Sequence, residues 1–237
     1  MPTLAEYAKE LFQLNLNPDQ IQQFNQLTNE LIDWNKRINL TAITEPDDIM
    51  VKHYLDSLTL LTVIHQFDGM KLIDVGTGAG FPGLVLAIVF PKLHVTFMDS
   101  TGKKLKFIEH AGKVLKLRNI RTLHSRAEDA GRNKAHREAY DIVTARAVAR
   151  MPALMEYTLP LAKLQGQVIA MKGGTAYDET NNAAKAIKTL GGELFSIEEI
   201  TLPTINDPRY LIVVDKIDPT PKQYPRNAGT PTREPII

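Results

Sequence analysis

Apolar side chains recur at three- and four-residue steps through the first part of the chain, a spacing that predicts amphipathic helices. The first helix is predicted to begin after Thr3, which forms a capping-box pattern with Glu6. Pro18 and Pro46 suit the first turns of a second and a third helix. We therefore expect residues 1–65 to form an N-terminal helical extension.

Beyond residue 65 the pattern changes, because short apolar runs of strand length alternate with helical spacing. This alternation predicts an α/β domain over residues 66–217 with a doubly wound sheet, in which ligands lie beyond the carboxyl ends of the strands. The last two strands are expected to form an antiparallel pair, so the sheet is mixed. The seven strands are predicted at 71–75, 94–98, 120–124, 140–144, 167–171, 193–202 and 209–216, and the helices between them at 84–90, 103–117, 152–163 and 177–190.

The densest chemical signal follows the first predicted strand, where Asp74 precedes glycines at every second position, Gly76, Gly78 and Gly80. Glycine tolerates positive φ and lets the backbone approach a ligand closely. One interpretation is the acid-and-glycine turn of S-adenosylmethionine-dependent methyltransferases, in which Asp74 suits the cationic methionine end. Another is the dinucleotide fingerprint, which Gly78, Gly80 and Gly83 also match. A third is an ordinary turn between a strand and a helix.

Two further positions fit a nucleotide pocket without choosing its ligand. Asp99 ends the second predicted strand nineteen residues after Gly80, where an acid accepts hydrogen bonds from ribose hydroxyls. The turn at 125–128 follows the third strand. There the small side chain of Ala127 leaves room for an adenine ring, and the backbone can contact the edge of the base.

Basic side chains at strand ends are candidates for substrate contacts. Arg146 ends the fourth strand beside the central crevice, where it suits a cofactor carboxylate or an RNA phosphate. Arg126 follows the third predicted strand and Lys172 the fifth, at the rim of the same crevice. His53 and Asp56 share one helix face. They either line the mouth of the cofactor site or pack in the core, and the periodicity favours packing.

Charge is distributed unevenly along the chain. The segment from Lys103 to Arg150 contains thirteen Lys or Arg and five Asp or Glu, although the formal net charge of the whole chain is +1. This asymmetry indicates either one cationic face or a solvated helix surface.

The absence of cysteine excludes several chemistries. Without cysteine the chain cannot form disulfides, thiolate zinc sites or cysteine-bound iron–sulfur clusters. Methylation at pyrimidine C5 is also disfavoured, because it usually needs a cysteine nucleophile. The histidines lack metalloprotease spacing, so we expect no metal. No apolar run approaches the ~20 residues that a membrane span requires. No signal segment is evident at the N-terminus, and we expect a cytoplasmic protein with no membrane partner.

The composition changes again at residue 218, because the last twenty residues contain five prolines with basic residues between them. This composition predicts an extended tail over 218–237 that is either surface-bound or mobile. An RNA-contacting arm is the alternative interpretation.

The motifs together resemble the bacterial ribosomal small-subunit methyltransferase G family, also called glucose-inhibited division protein B, over nearly the whole chain. The segments that carry this resemblance are 39–41, 53–58, 74–83, 99–100, 144–147 and 171–173, with 220–226 and 229–231 in the tail.

The resemblance implies a Rossmann-like class I S-adenosylmethionine-dependent methyltransferase fold, with a seven-stranded mixed sheet and an N-terminal helical extension. It implies transfer of a methyl group to N7 of one guanine in 16S ribosomal RNA, as free RNA or within the small ribosomal subunit. We expect a monomer. The cofactor contacts that it implies fall on Gly76, Phe81, the turn of Ala127 and Glu128, Arg146, and Asp99 with the adjacent Ser100 near the ribose.

Methylation at guanine N7 uses an in-plane lone pair and removes no proton, so no general base is expected and catalysis depends on positioning. For the reaction that the resemblance implies, Arg146, Arg126 and Lys172 are the candidates for holding phosphate or the edge of the guanine. Two other functions stay open at this point. One is an oxidoreductase that binds a nicotinamide cofactor at Gly78, Gly80 and Gly83. The other is a non-catalytic RNA-binding module that keeps the methyltransferase fold.

Overall fold

A mixed sheet of seven strands, in the order β3-β2-β1-β4-β5-β7-β6, organises the computed structural model, which describes residues 2–237. Neighbouring strands from β3 to β5 are parallel, whereas β7 runs antiparallel to both β5 and β6. The predicted seven strands and their final antiparallel pair are therefore confirmed. The strands are β1 Lys71–Val75, β2 His94–Asp99, β3 Ile120–His124, β4 Tyr140–Arg146, β5 Ala162–Lys172, β6 Gly192–Ile200 and β7 Arg209–Lys216.

Helices cover both faces of this sheet, and each face has its own cluster of buried apolar side chains. The strand order reverses between β1 and β4, which is the point where open α/β sheets bind their ligands. The helices are α1 Leu4–Phe12, α2 Pro18–Asn35, α3 Pro46–Ile49, α4 Asp56–Leu58, α5 Gly83–Val89, α6 Gly102–Val114, α7 Ala127–Arg132, α8 Met151–Thr158, α9 Ala176–Asn182, α10 Ala184–Thr189 and α11 Thr230–Arg233.

The N-terminal helices begin as the sequence predicts and pack directly on the sheet domain. Thr3 and Glu6 form the expected reciprocal capping box at α1, and Pro18 opens α2. Leu27 and Leu31 of α2 are fully buried in the same apolar cluster as side chains of β1, α5 and α6. The extension therefore shares its core with the sheet, and the division at residue 65 stays a prediction.

The four helices predicted in the sheet domain differ from the structure at their ends, and two of them differ most. The helix expected at 152–163 ends at Thr158, and β5 begins at Ala162. Pro160 explains the early end, because proline has no N–H to continue the hydrogen bonds of the helix beyond Leu159. The helix expected at 177–190 is divided into α9 and α10 at Ala183, just after two asparagines of low helix propensity.

The C-terminal tail lies against α7 and α8. Arg226 donates to the carboxylate of Glu156 through Nε (3.0 Å) and Nη2 (2.7 Å), and Glu156 is fully buried. Arg132 Nε donates to the carbonyl of Pro225 at 2.9 Å. These contacts match the surface-bound interpretation of the tail rather than the mobile one. They also engage Arg226, which is therefore not a free cation for an RNA-contacting arm.

Candidate active site

The glycine-rich turn between β1 and α5 has no room for side chains at two of its positions. Gly76 and Gly80 adopt φ values of 65° and 90°. A Cβ on Gly76 would lie 2.7 Å from a methyl carbon of Val148, and one on Gly80 would lie 2.6 Å from a methyl carbon of Leu84. The turn therefore requires glycine at both positions, and the backbone at Gly76 lines a cleft.

Asp74 supports this turn from behind. Its side chain is fully buried, and Oδ2 accepts hydrogen bonds from the hydroxyl of Thr77 (2.7 Å) and the N–H of Gly83 (3.1 Å). Oδ1 has no hydrogen-bond partner in the structure. Burial raises the pKa of Asp74 to about 6 against the opposing effect of these hydrogen bonds. Asp74 does not line the cleft, so its expected contact with a cationic cofactor end stays a prediction.

A cleft of about 340 Å³ lies at the carboxyl ends of β1, β2 and β3, where the fold places its ligands. Asp99 is its central polar group and is only 6% exposed. The Asp99 carboxylate accepts from the N–H of Gly78 at 3.1 Å and from the N–H of Thr101 at 2.8 Å. These two bonds fix the carboxylate between the glycine turn and the end of β2, and its remaining lone pairs are available to a ligand.

The opposite wall of the cleft follows β3 and includes the predicted turn. Arg126 is exposed at the rim, the small side chain of Ala127 faces the cleft, and Glu128 is only 4% exposed. Ser100, also a predicted contact, lines the cleft and accepts a hydrogen bond from His124 Nε2 through its carbonyl at 3.0 Å. The structure thus brings six predicted residues together in one cleft, namely Gly76, Asp99, Ser100, Arg126, Ala127 and Glu128.

Arg146 lies in a second, smaller pocket of about 160 Å³ that adjoins the cleft at Ala147, a residue that lines both. Its guanidinium donates to Asp56 Oδ2 at 2.6 Å through Nη1 and to His53 Nδ1 at 3.2 Å through Nη2. The carbonyl of Lys52 accepts a third hydrogen bond at 3.2 Å. Arg146 is therefore fixed by the helical extension rather than left free at the end of β4.

His53 connects Arg146 to the rest of the extension. Because arginine only donates, His53 Nδ1 must accept, and Nε2 then carries the proton toward Thr41 Oγ1 at 2.9 Å. The ring stacks on Phe81 with centroids 4.5 Å apart and planes 8° apart. Burial, together with the charge of Arg146, lowers the pKa of His53 to about 3. Phe81, a predicted cofactor contact, is thus buried under His53 and is not a lining residue of the cleft.

The helical segment that supplies these partners is irregular. After α3 the chain continues as a π-helical turn over Met50–Leu55 and then as α4. Wide π turns of this kind often occur at functional sites. The sequence favoured plain packing for His53 and Asp56, whereas the structure uses both to hold Arg146. The signal that could have found them is their three-residue spacing on one helix face.

Lys172 has partners other than the phosphate expected from sequence. Its Nζ donates to Glu179 Oε2 and to the carbonyl of Ala149, both at 2.6 Å, and its side chain is only 12% exposed. Its charge is therefore compensated within the protein, because Glu179 comes from α9 at the end of the same strand. Lys172 is therefore an ion-paired residue at the wall of the second pocket, and its expected role in holding phosphate or the guanine edge stays a prediction.

Arg209 is a pocket residue that sequence reasoning missed. It begins β7, lines the second pocket, and approaches Asp56 Oδ1 with its Nη1 at 3.9 Å. Its buried Nε has no hydrogen-bond partner in the structure. No local signal marks Arg209, because only the antiparallel pairing of β7 with β5 carries it to this crevice.

Neither a metal centre nor a membrane segment emerges from the described part of the chain. Residues 2–237 contain no group of three or more His, Cys, Asp or Glu arranged to hold a metal ion. None of the helices within that range combines the length and the apolar character that crossing a bilayer requires.

Comparisons with known proteins agree on one family. The model of the family GidB, described as "rRNA small subunit methyltransferase G", matches residues 20–206. The chain is 49% identical to a ribosomal RNA small subunit methyltransferase G of Lactobacillus johnsonii, over 97% of this chain and 98% of that one. It is 46% identical to the protein of the same name from Bacillus subtilis, over 94% and 93% of the two chains.

The fold has matches among solved structures. A SAM-dependent O-methyltransferase from Thermotoga maritima superposes with a TM-score of 0.53 at 17% identity, covering 81% of this chain and 72% of that chain. At this level of identity the match shows the fold alone. The predicted Rossmann-like methyltransferase fold with a seven-stranded mixed sheet is therefore confirmed.

Proposed function

The chain belongs to the rRNA small subunit methyltransferase G family, and we propose that it transfers a methyl group from S-adenosylmethionine to N7 of one guanine in 16S ribosomal RNA. Membership of a methyltransferase family sets aside the nicotinamide-dependent oxidoreductase considered for the same glycines. The observation that carries the proposal is the cleft lined by the backbone of Gly76 and by the buried carboxylate of Asp99, which the N–H of Gly78 in the same turn holds in place.

The residues of the cleft fit the two ends of this cofactor. Asp99 holds a carboxylate with free lone pairs at the end of β2, where ribose hydroxyls bind in such folds. Ala127 and Glu128 form the wall that would receive adenine, and the backbone at Gly76 would receive the amino-acid end. When bound, S-adenosylmethionine supplies an electrophilic methyl group on a sulfonium sulfur.

The second pocket is the proposed site of the target base, because it adjoins the cleft at Ala147. Guanine presents O6 as a hydrogen-bond acceptor next to N7. Arg209 and Arg146 both line this pocket, and the guanidinium of Arg146 is held in place by Asp56. We assign guanine-edge contacts to these two arginines. They would hold the base while N7 meets the methyl group, and such positioning contributes up to about 7–11 kcal/mol in favourable intramolecular reactions.

The ion pairs of the second pocket suit a cationic product. Methylation at N7 leaves a positive charge on the purine, which an uncompensated lysine or arginine nearby would oppose. Here Arg146 is paired with Asp56 and Lys172 with Glu179, so that Arg209, 3.9 Å from the shared Asp56, is the remaining positive charge of the pocket lining. These carboxylates keep the local charge low, and this compensation gives them a chemical role beside their structural one.

The pocket also offers no free proton acceptor, in agreement with chemistry that needs none. His53 stays neutral because its pKa is about 3, and both of its ring nitrogens are engaged by Arg146 and Thr41. Asp56 is bound to Arg146. Attack by the N7 lone pair releases no proton, so these engaged groups are no obstacle to the reaction.

Ribosomal RNA is the proposed partner of the basic residues near the cleft. Lys104 and Arg126 line the cleft, and Lys103, Lys106 and Arg150 are exposed. Cationic side chains around an active site attract the phosphate backbone and release counterions, so RNA affinity should fall steeply with salt. We infer that these residues orient the RNA while the second pocket selects the base.

The experiment that tests the proposal is methyl transfer to ribosomal RNA isolated from a strain that lacks the enzyme. Labelled S-adenosylmethionine should mark one guanine of 16S RNA, mapped by reverse-transcription stops after chemical cleavage at 7-methylguanine. Arg209→Lys should lose transfer while it keeps S-adenosylhomocysteine binding. Transfer to an adenine or a cytosine would refute the proposed position. Binding of RNA without any transfer would instead support the non-catalytic module.

A further inference from the structure

The C-terminal tail contacts two residues that line the cleft. The N–H of Gly229 donates to Glu128 Oε1 at 2.8 Å, although the two residues are 101 positions apart. The hydroxyl of Thr232 lies 2.7 Å from the phenol oxygen of Tyr157. Glu128 and Tyr157 line this cleft together with Asp99. A segment remote in sequence thus holds two side chains of the proposed nucleoside site.

We propose that Gly229 and Thr232 are positioning residues for the cofactor, because they fix Glu128 and Tyr157 at the nucleoside end of the cleft. The inference rests on the proposed function, since it takes S-adenosylmethionine as the ligand of the cleft. It assigns the tail a role in cofactor affinity, which differs from both a passive tail and an RNA-contacting arm.

The tail is anchored firmly enough to act in this way. Arg226 binds the fully buried carboxylate of Glu156, and its Nη2 also donates to the carbonyl of Glu234 at 2.8 Å, which closes the turn that contains Gly229. On the other side Arg132 Nη1 donates to Asn227 Oδ1 at 2.8 Å. The turn is thus tied to α7 and α8, the two helices that carry the cleft residues.

The hydrogen bond from Gly229 to Glu128 depends on the backbone conformation of Gly229. Gly229 adopts a φ of 81°, which L side chains rarely accept, and the space around its Cβ position is open. An alanine there would meet no steric obstacle, yet it would strain the conformation that aims the N–H at Glu128. Conformation rather than contact therefore selects glycine at this position.

The contact at Thr232 can be removed cleanly. Thr232 is exposed, so Thr232→Val deletes the hydroxyl that meets Tyr157 with little change in volume. Thr230, two residues earlier in α11, makes no side-chain hydrogen bond in the structure and gives the matched control Thr230→Val. Tyr157→Phe removes the same hydrogen bond from the other side.

The test measures binding of S-adenosylhomocysteine and of adenosine by titration calorimetry, with thermal unfolding of the ligand-free protein in parallel. Thr232→Val and Gly229→Ala should each weaken both ligands about two- to tenfold, the range that one net hydrogen bond supplies. Thr230→Val should bind as the wild type does. The double variant Thr232→Val with Tyr157→Phe should be no weaker than Tyr157→Phe alone, because both changes remove one interaction.

Unchanged affinity of Thr232→Val and Gly229→Ala for both ligands would overturn the positioning role, whatever happens to their thermal stability. An equal loss in Thr230→Val would overturn it as well, since the effect would then belong to α11 in general. Failure of the wild type to bind S-adenosylhomocysteine would refute the cofactor assignment itself. That outcome is distinct, because it appears before any variant is compared.

Discussion

Replacing Arg226 by glutamine should remove the main anchor of the C-terminal tail and lower the free energy of unfolding by about 3 kcal/mol. Glu156 is fully buried, and its carboxylate accepts from the backbone N–H, Nε and Nη2 of Arg226. Breaking a buried ion pair costs about 3–5 kcal/mol because an uncompensated charge remains. We take the lower end, since the side chain of Arg226 is 28% exposed.

The assay is urea unfolding at neutral pH, supported by thermal melts. For a domain of this size a loss of about 3 kcal/mol lowers Tm by about 6–12 °C. Arg233→Gln is the matched control, because Arg233 is an exposed arginine of the same tail that makes no ion pair in the structure. Combining Arg226→Gln with Glu156→Gln should recover part of the loss, since no buried charge is then left unpaired. A loss below about 0.5 kcal/mol in Arg226→Gln, comparable with a surface substitution, would refute the docked tail.

Three further predictions concern the site. Asp56→Asn should lower the rate of methyl transfer about tenfold or more, because the charged hydrogen bond to Arg146 is lost. Its affinity for S-adenosylhomocysteine, measured by calorimetry, should stay within about threefold of wild type, because Asp56 lines the second pocket and not the cleft. An equal loss of transfer and of affinity would contradict the separation of the two pockets. Gly80→Ala should lower the free energy of unfolding by about 1–3 kcal/mol, because an alanine there would be strained at a φ of 90° and would clash with Leu84. The loss should be larger than in the control Gly69→Ala, where the added Cβ meets no atom within 4 Å. Equal losses in thermal melts of the two variants would contradict this prediction. The pKa of Asp74 rises on folding from 3.8 to about 6, so between these pH values the carboxyl is protonated in the folded protein and ionised in the unfolded chain. The free energy of unfolding should therefore decline as pH rises from about 4 to about 6, and urea titrations of Asp74→Asn should lack this component.

Much of the fold is predictable because its signals are local. The predicted bounds of β1, β3 and β7 agree with the structure, since each is a short apolar or alternating run with clear ends. The capping box at Thr3 agrees for the same reason, because its two partners are three residues apart. The helix that ends at Thr158 is shorter than the pattern predicts, although Pro160 is itself a local signal for an earlier end.

The site is predictable only in part, because its polar partners are distant in sequence. The glycine turn, Asp99 and the end of β3 follow from motifs and strand ends, and they meet in one cleft. Arg146 binds Asp56, which is 90 residues away in the sequence, and Arg226 binds Glu156, which is 70 residues away. Motif spacing cannot predict contacts between residues so far apart in the sequence. The sequence therefore predicts Arg146 and Lys172 as cations without carboxylate partners, whereas in the structure Arg146 is paired with the buried Asp56 and Lys172 with the half-buried Glu179.

A crystal structure of the complex with S-adenosylhomocysteine would show whether the cleft beside Asp99 holds the methyl donor. We expect ribose hydroxyls within hydrogen-bond distance of Asp99, adenine against Ala127 and Glu128, and the amino-acid end at the backbone of Gly76. A nucleoside bound elsewhere, with this cleft empty, would contradict it.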